Sequence, residues 1–119
     1  MKKILAVEDD LSTQKYYREL FSAEGYEVTL AGDATGGVMQ FRAVRPDLVI
    51  LDAEMPGGGG ERVFEMIREI MESGVPVLFV TGMPGRVEKF TETYANVGVL
   101  AKPADSDVLL ARAAEMIGG

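Results

Sequence analysis

The stretch PDLVILD (residues 46–52) decides the fold class of this chain. Its central residues, 48–51, are all apolar, and a run this short does not make an ordinary helix. A continuous apolar run of this length is typical of a parallel strand that is covered on both faces. The run ends directly at Asp52, whose carboxylate would be expensive to bury without a partner. The sequence therefore predicts a buried strand with a chemically unusual residue at its carboxyl end.

Three further apolar runs have the same character, and they occupy residues 4–7, 77–80 and 97–101. A fifth segment, residues 26–31, alternates partly between apolar and polar side chains, which is typical of an edge strand. Segments with apolar residues at helical spacing separate the five runs. The residues that form these helical faces are Tyr16, Tyr17, Leu20 and Phe21; Ala34, Val38 and Phe41; Val63, Phe64, Ile67, Ile70 and Met71; Val87, Phe90 and Tyr94; and Leu109, Leu110, Ala113, Met116 and Ile117.

The order along the chain is thus a strand followed by a helix, five times over. Such alternation implies right-handed crossovers, a parallel sheet and helices on both of its faces. Asp33 and Asp105 are predicted N-caps of the second and fifth helices, and Gly25 is a predicted C-cap of the first. We interpret the GGGG run at residues 57–60 as a loop before the third helix. The predicted fold class is α/β, a (βα)5 doubly wound sheet, and residues 1–119 are expected to form a single domain without an output domain.

Composition excludes several classes of function. The chain has 119 residues and a formal net charge of −7, and an acidic balance argues against binding to nucleic acid or to anionic membranes. The absence of cysteine and histidine excludes disulfides, thiolate metal sites and histidine-based acid–base catalysis. No apolar stretch approaches the ~20 residues of a membrane span, and the apolar start of the chain stops too early for a signal peptide. We therefore expect a cytoplasmic protein whose chemistry rests on carboxylates, hydroxyls and lysines.

In a doubly wound sheet, functional residues lie just beyond the carboxyl ends of the strands. The residues at these positions are Glu8 and Asp9 after the first strand, Asp52 after the third, Thr81 after the fourth and Lys102 after the fifth. Thr81 or Lys102 alone would be an ordinary turn or surface residue. Asp52 is harder to dismiss, because it directly follows a buried apolar run. Together, the carboxylates would repel one another unless a cation such as Mg²⁺ compensated them. A carboxylate can also attack phosphorus, and the transferred group is then stabilised by a metal, a cation and hydrogen-bond donors. Asp52, on the central strand, is the predicted nucleophile.

Five pieces of sequence, taken together, resemble the receiver domains of two-component response regulators. They are ILAVEDD (residues 4–10), PDLVILD (46–52), Met55-Pro56 with Gly60, VTG (80–82) and AKP (101–103). Because all five occur in order at the predicted strand ends, the resemblance is specific and covers essentially the whole chain. It implies the flavodoxin-like strand order 2-1-3-4-5 and a role in two-component signal transduction.

The resemblance implies a role for each matching residue. Asp52 is similar to the phosphoacceptor, Thr81 to the hydroxyl that turns toward the phosphoryl group, and Lys102 to the lysine that pairs with it. The family also has a cis peptide bond at the position of Lys102 and Pro103, which sequence by itself does not show. The residues implied to hold Mg²⁺ are Asp9 directly, Glu8 partly through water, Asp52, and Glu54 through its backbone carbonyl.

Partners are also implied by the resemblance. The phosphoryl group would come from a histidine kinase or a histidine phosphotransfer protein, and since this chain has no histidine, the donor histidine must lie on another protein. The domain would be a phosphoacceptor and not an enzyme, beyond catalysing its own phosphorylation and dephosphorylation. Its downstream protein partner is not indicated. A monomer, or a weak dimer through the face of the fourth and fifth helices, is expected.

Three features depart from the family pattern. The family usually carries an aromatic residue three positions before the lysine, which swings inward on activation, whereas this chain has Val99, a stiff side chain without a ring. We therefore expect the loop after Thr81, or the fourth helix, to carry the change in output. Position 104 is alanine where phenylalanine is common. The GGGG run adds backbone freedom beside the acceptor, and we expect it to become ordered only when metal or phosphoryl is bound.

Three alternatives remain open at this point. A phosphatase resembling the haloacid dehalogenase superfamily uses similar residue types, but its acidic pair comes last in the chain and here it comes first. A nucleotide-binding module would need a Gly-Lys-Ser/Thr ending after the GGGG run, and Arg62 interrupts the dinucleotide pattern. A receiver-like scaffold that works without phosphorylation is favoured by Val99 and disfavoured by the complete set of site residues.

Overall fold

The computed structural model describes residues 1–55 and 58–118, so the predictions that involve Pro56, Gly57 and Gly119 fall outside the described residues. Strands and helices alternate along the chain. Their bounds are β1 Lys3–Val7, α1 Leu11–Ala23, β2 Glu27–Ala31, α2 Ala34–Val44, β3 Leu48–Leu51, α3 Gly59–Glu65 with a π-helical turn Met66–Ile70, β4 Val77–Thr81, a 3₁₀ turn Pro84–Arg86, α4 Glu88–Thr93, β5 Val97–Ala101 and α5 Ser106–Gly118.

The five strands form one parallel sheet in the order β2-β1-β3-β4-β5. The predicted α/β class and the flavodoxin-like order 2-1-3-4-5 are therefore confirmed. In the register, Val7 lies beside Leu51 and Thr81 beside Ala101. Because all strands run the same way, the residues that follow β1, β3, β4 and β5 meet at one edge of the sheet.

Helices cover both faces of the sheet, and each face has its own apolar core. Leu5 and Val7 of β1 belong to the core beneath α2, α3 and α4, whereas Ile4 and Ala6 belong to the core beneath α1 and α5. Every residue of β3 and β4 is buried. Burial on both faces is the physical reason for the continuous apolar run at residues 48–51.

The two edge strands are less buried than the three central ones. β2 lies at one edge, as its partial alternation predicts, and β5 lies at the other. We expected residues 97–101 to be covered on both faces, but within β5 only Gly98 is buried. Val97 and Val99 pack on one core and Leu100 on the other, so both faces are in contact, but β5 pairs with β4 alone and its open edge leaves these residues only partly buried.

The predicted helix caps are present. The carboxylates of Asp33 and Asp105 accept hydrogen bonds of 2.7 and 2.8 Å from backbone N–H groups in the first turns of α2 and α5. Asp10 caps α1 in the same way, through the backbone N–H of Thr13. Gly25 follows α1 with a φ of 89°, a left-handed conformation that glycine adopts without steric cost.

The third helix departs from its predicted pattern. After Glu65 the α-helix widens into the π-helical turn Met66–Ile70, which closes one residue later than an α turn. Residues at the end of the wide turn are therefore rotated relative to the apolar stripe. Ile67 is fully buried, but Ile70 is 69% exposed. The expectation that Ile70 lies on the buried face was wrong for this reason.

A cluster of aromatic rings attaches α4 to the rest of the molecule. The ring centroids of Phe64 and Phe90 lie 4.6 Å apart, and those of Phe79 and Phe90 lie 5.9 Å apart. Tyr94 packs edge-on against Phe64, and Val87 is completely buried. The predicted apolar face of the fourth helix is confirmed, and it packs on the same core as Val99.

Candidate functional site

The loop after β1 begins with Glu8, which is 1% exposed and has a partner for every polar group. Its backbone N–H donates to the carbonyl of Ala31, and its own carbonyl accepts a 2.7 Å hydrogen bond from Gln14 Nε2. One carboxylate oxygen accepts from Lys102 Nζ at 2.6 Å, and the other accepts from the backbone N–H of Asp10 at 3.0 Å. Burial of this carboxylate is thus offset by charge-assisted hydrogen bonds.

Asp52 follows β3 at the same edge and is 5% exposed. Its Oδ1 accepts a 3.0 Å hydrogen bond from the backbone N–H of Glu54, and its Oδ2 lies 3.0 Å from Lys102 Nζ. The ammonium of Lys102 therefore bridges the carboxylates of Asp52 and Glu8. The structure brings together these three predicted residues, which are far apart in sequence.

The shared ammonium shifts the pKa values of the groups that it joins. Burial raises the pKa of Glu8, although the hydrogen bonds from Lys102 and Asp10 oppose that rise. Burial alone would lower the pKa of Lys102, but the hydrogen bonds to Glu8 and Asp52 more than offset it and raise the pKa. Lys102 therefore keeps its proton throughout the physiological range.

Asp9 completes a group of three carboxylates. Glu8, Asp9 and Asp52 each offer an oxygen atom, and these atoms lie within 4.8 Å of one another. Three carboxylates so close together repel, and one ammonium compensates only part of their charge. Hard divalent cations prefer this set of oxygen ligands, so the residues present fit such a cation. The predicted role of the Glu54 carbonyl as a further ligand stays a prediction.

The glycines at the start of the third helix are packed against the backbone of Asp52 and Ala53. Gly58 lies in a turn before α3, as expected, but Gly59 and Gly60 are buried and form the first residues of the helix, so the expectation of a loop was wrong for these two. The N–H of Gly60 donates to the carbonyl of Asp52 at 2.8 Å. A Cβ on Gly60 would lie 2.3 Å from that carbonyl oxygen, and one on Gly59 would lie 2.1 Å from the carbonyl oxygen of Ala53. Glycine is needed at these two positions because the backbone segments approach each other closely. The N–H of Gly60 is already bonded and is not available to bind a nucleotide phosphate.

Thr81 ends β4 and is completely buried. Its Oγ1 accepts a 3.1 Å hydrogen bond from the backbone N–H of Met83, and its carbonyl accepts one of 2.9 Å from the N–H of Lys102. The hydroxyl and the lysine therefore lie on directly bonded strand ends. The Lys102–Pro103 peptide bond is cis, as the resemblance implies.

A cavity of about 540 Å³ lies between α1 and the loop after β5. Its lining includes Tyr17, Lys102, Ala104 and Leu109, so the small side chain at position 104 faces open space. Burial raises the pKa of Tyr17. Tyr16, which the helical spacing places on the same face as Tyr17, also lines the cavity and is 39% exposed.

Two polar residues of the region were missed by sequence reasoning. Gln14 fixes the carbonyl of Glu8, and Glu61 of α3 pairs with Arg86 and Lys89 in the segment after β4. Neither leaves a specific sequence signal, because a helical glutamine and a helical glutamate are commonplace on a surface. Their contacts depend on tertiary structure.

The fold and this site together define a receiver domain, and comparison with known proteins agrees. The chain belongs to the response regulator receiver domain family, which matches residues 4–114. It is 34% identical over 87 residues to the DNA-binding response regulator MtrA of Mycolicibacterium paratuberculosis, covering 73% of this chain and 38% of that protein. It is 33% identical over 110 residues to the transcriptional regulatory protein CseB of Streptomyces coelicolor, covering 92% and 46%. The solved non-phosphorylated receiver domain of HemR from Leptospira biflexa is 28% identical with a TM-score of 0.86, covering 100% of this chain and 96% of that one.

The family identifies this chain as a signalling domain of two-component systems, in which receiver domains accept phosphate from histidine kinases. The chain spans less than half the length of the curated relatives MtrA and CseB. The DNA-binding and transcriptional roles that their names describe are therefore properties of those longer proteins.

Proposed function

We propose that this domain accepts a phosphoryl group on the carboxylate of Asp52 and that the modification is its signal. The observation that carries the proposal is the ammonium of Lys102, which lies between Asp52 Oδ2 and Glu8 Oε1 beside the third carboxylate, Asp9. A carboxylate nucleophile, a fixed cation and spare acidic ligands are the parts that phosphoryl transfer to a side chain requires.

The proposed step forms one bond and breaks one. An oxygen of Asp52 attacks phosphorus while the bond from phosphorus to the donor's imidazole nitrogen breaks, and the imidazole leaves with the electron pair and takes up a proton. Once Asp52 is an acyl phosphate, the ammonium of Lys102 faces phosphoryl oxygens in place of a carboxylate. The hydroxyl of Thr81 donates a hydrogen bond to the same group. The domain acts as a phosphoacceptor, and its catalysis is limited to its own phosphorylation and dephosphorylation.

Mg²⁺ is the cation that we propose for the acidic group. Asp9 and Asp52 would bind it directly, Glu8 partly through water, and Glu54 through its backbone carbonyl. When bound, it neutralises charge on the phosphoryl oxygens. The saturation of Glu8 by protein donors supports an indirect role for that side chain.

We propose a histidine kinase or a histidine phosphotransfer protein as the donor, because this chain contains no histidine of its own. The signal would pass to a protein partner, and the acidic charge argues against nucleic acid. A single domain over residues 1–119, and a monomer or weak dimer through α4 and α5, stay predictions. Among the described residues, no helix combines the length and apolar character needed to span a bilayer. The cytoplasmic location also stays a prediction.

The test is phosphorylation by acetyl phosphate in the presence of Mg²⁺, followed by intact-protein mass spectrometry over time. The wild type and the Asp107→Asn variant, which changes an exposed carboxylate on α5, should each gain one phosphoryl group. Asp52→Asn should gain none, and chelation of Mg²⁺ should suppress labelling of the wild type. Equal labelling of Asp52→Asn would refute the assignment, and sustained turnover of a generic phosphoester would favour the phosphatase alternative.

A further inference from the structure

Two segments of the chain are hydrogen-bonded directly to the site through their backbones. The start of α3 is bonded through the N–H of Gly60, which donates to the carbonyl of Asp52 at 2.8 Å. Residues 82–89 are bonded through the N–H of Met83, which donates to Thr81 Oγ1 at 3.1 Å. A displacement of either segment is therefore felt at the site itself.

Glu61 joins these two segments. It follows Gly60 in α3, and its carboxylate pairs with Arg86 through Oε1 and lies 3.8 Å from Lys89 Nζ through Oε2. The Glu61 side chain is 18% exposed, while those of Arg86 and Lys89 are 44% and 65% exposed. One largely buried carboxylate thus holds two cations that belong to the segment after β4.

The Thr81 hydroxyl connects the ion pairs of Glu61 to phosphorylation of Asp52. In the present structure Thr81 Oγ1 accepts from Met83. When the hydroxyl turns toward a phosphoryl group on Asp52, its hydrogen bond with Met83 is strained, and residues 82–89 are pulled out of their resting position. Val99 has no ring whose rotation could accommodate the change.

We propose that Glu61 is a positioning residue that sets how readily the site holds a phosphoryl group, because its ion pairs keep residues 82–89 in the resting arrangement. The inference rests on the proposed function, since it needs a phosphoryl group that draws on Thr81. Binding of a phosphoryl group and release of residues 82–89 are thermodynamically linked. A change that favours release of the segment by some factor therefore raises the affinity for the phosphoryl group by the same factor.

The test compares Glu61→Gln with Glu65→Gln, a change of the same charge at an exposed position of the same helix. Beryllofluoride with Mg²⁺ serves as the probe, and its affinity is measured by calorimetric titration. Glu61→Gln should bind about two- to five-fold more tightly than the wild type, the range that exposed ion pairs permit. Arg86→Gln should act in the same direction and add less than its own effect in the double variant. Glu65→Gln should match the wild type.

Amide exchange without the probe supplies a second readout. Residues 82–90 should exchange faster in Glu61→Gln than in the wild type or in Glu65→Gln. Faster exchange with unchanged affinity would show a merely structural tie and overturn the positioning role, as would unchanged or weaker binding. If the wild type binds no beryllofluoride, the proposed function fails and the inference with it; if the wild type binds and Glu61→Gln does not differ, the inference alone fails.

Discussion

The two flanks of the acceptor are built differently. The lysine flank consists of the loops after β1 and β5, residues 8–14 and 102–105. The threonine flank consists of the start of α3 and the segment after β4, residues 58–61 and 82–89. In the lysine flank, buried charged groups are joined by short hydrogen bonds. In the threonine flank, a backbone contact at the glycines is followed by ion pairs whose cations are exposed.

The difference separates two tasks. Buried charges that are hydrogen-bonded to one another resist displacement, since breaking one of these bonds leaves a charge unpaired away from water. Exposed ion pairs contribute little and are screened by salt. The lysine flank is therefore suited to hold the chemistry in a fixed geometry, and the threonine flank is suited to move when the chemistry has occurred.

The largest expected effect tests one of the two close backbone contacts of the threonine flank. Gly60→Ala should lower the free energy of unfolding by about 3 kcal/mol, because the new methyl group meets a backbone carbonyl that has no flexible end to move. Urea denaturation measures the loss. Gly85→Ala is the control, since its methyl group would enter open space, and it should change stability by less than ~1 kcal/mol. Equal effects of the two changes would show that α3 does not rest on the acceptor backbone.

The next effect tests the lysine flank. Lys102→Met leaves the carboxylates of Glu8 and Asp52 facing each other without their shared cation. We expect a loss of about 2 kcal/mol, less than the ~3–5 kcal/mol of a fully buried pair because the ammonium is partly exposed. Lys15→Met, on the surface beside Glu19, should cost less than ~0.5 kcal/mol in the same denaturation experiment. If both variants lost similar stability, the ion pairs of the lysine flank would be no stronger than an ordinary surface ion pair.

The difference in the free energy of unfolding between the wild type and Lys102→Met should depend on pH, and the pKa of Lys102 fixes the direction of the change. The pKa of Lys102 is raised in the folded state above its ordinary value of 10.5. Its contribution is then fully present below pH 10.5 and is lost as pH rises through the folded pKa. The difference in stability between the wild type and Lys102→Met should stay constant from neutral pH to about 10 and shrink above it. A difference that already disappears between neutrality and pH 9 would contradict the raised pKa.

The smallest effect has the opposite sign. Asp52→Asn removes one of the crowded carboxylates and leaves Lys102 paired with Glu8. An asparagine oxygen can still accept from the N–H of Glu54, so the hydrogen bond survives. We expect the free energy of unfolding to rise by about 0.5–1 kcal/mol, because like charges no longer repel. Thermal denaturation checks the direction, and a clear loss of stability would mean that Asp52 is fully compensated in the resting site.

The sheet and the strand-end residues could be predicted because their causes are local. Residues 48–51 are apolar throughout since both faces of β3 are covered, and the position of Asp52 follows from where that run stops. The convergence of Glu8 and Lys102 then follows from parallel topology. The motif match adds specificity to what the pattern of strands already indicates.

What sequence could not supply depends on contacts between distant segments. The GGGG run suggests freedom, but Gly59 and Gly60 are constrained by an approach to the acceptor backbone that no local pattern encodes. Ile70 keeps helical spacing and yet is exposed, because the helix widens before it. Glu61 meets Arg86, which lies 25 residues further along the chain.

The π-helical turn Met66–Ile70 gives the chain a place where its length can change. The turn closes through the N–H of Met71 on the carbonyl of Met66 at 2.9 Å, and so encloses one residue more than an α turn. Deleting one exposed residue from it would restore α-helical closure without moving the sheet. Insertions and deletions usually accumulate in surface loops. In this molecule the wide helical turn Met66–Ile70 offers a second place for such a change.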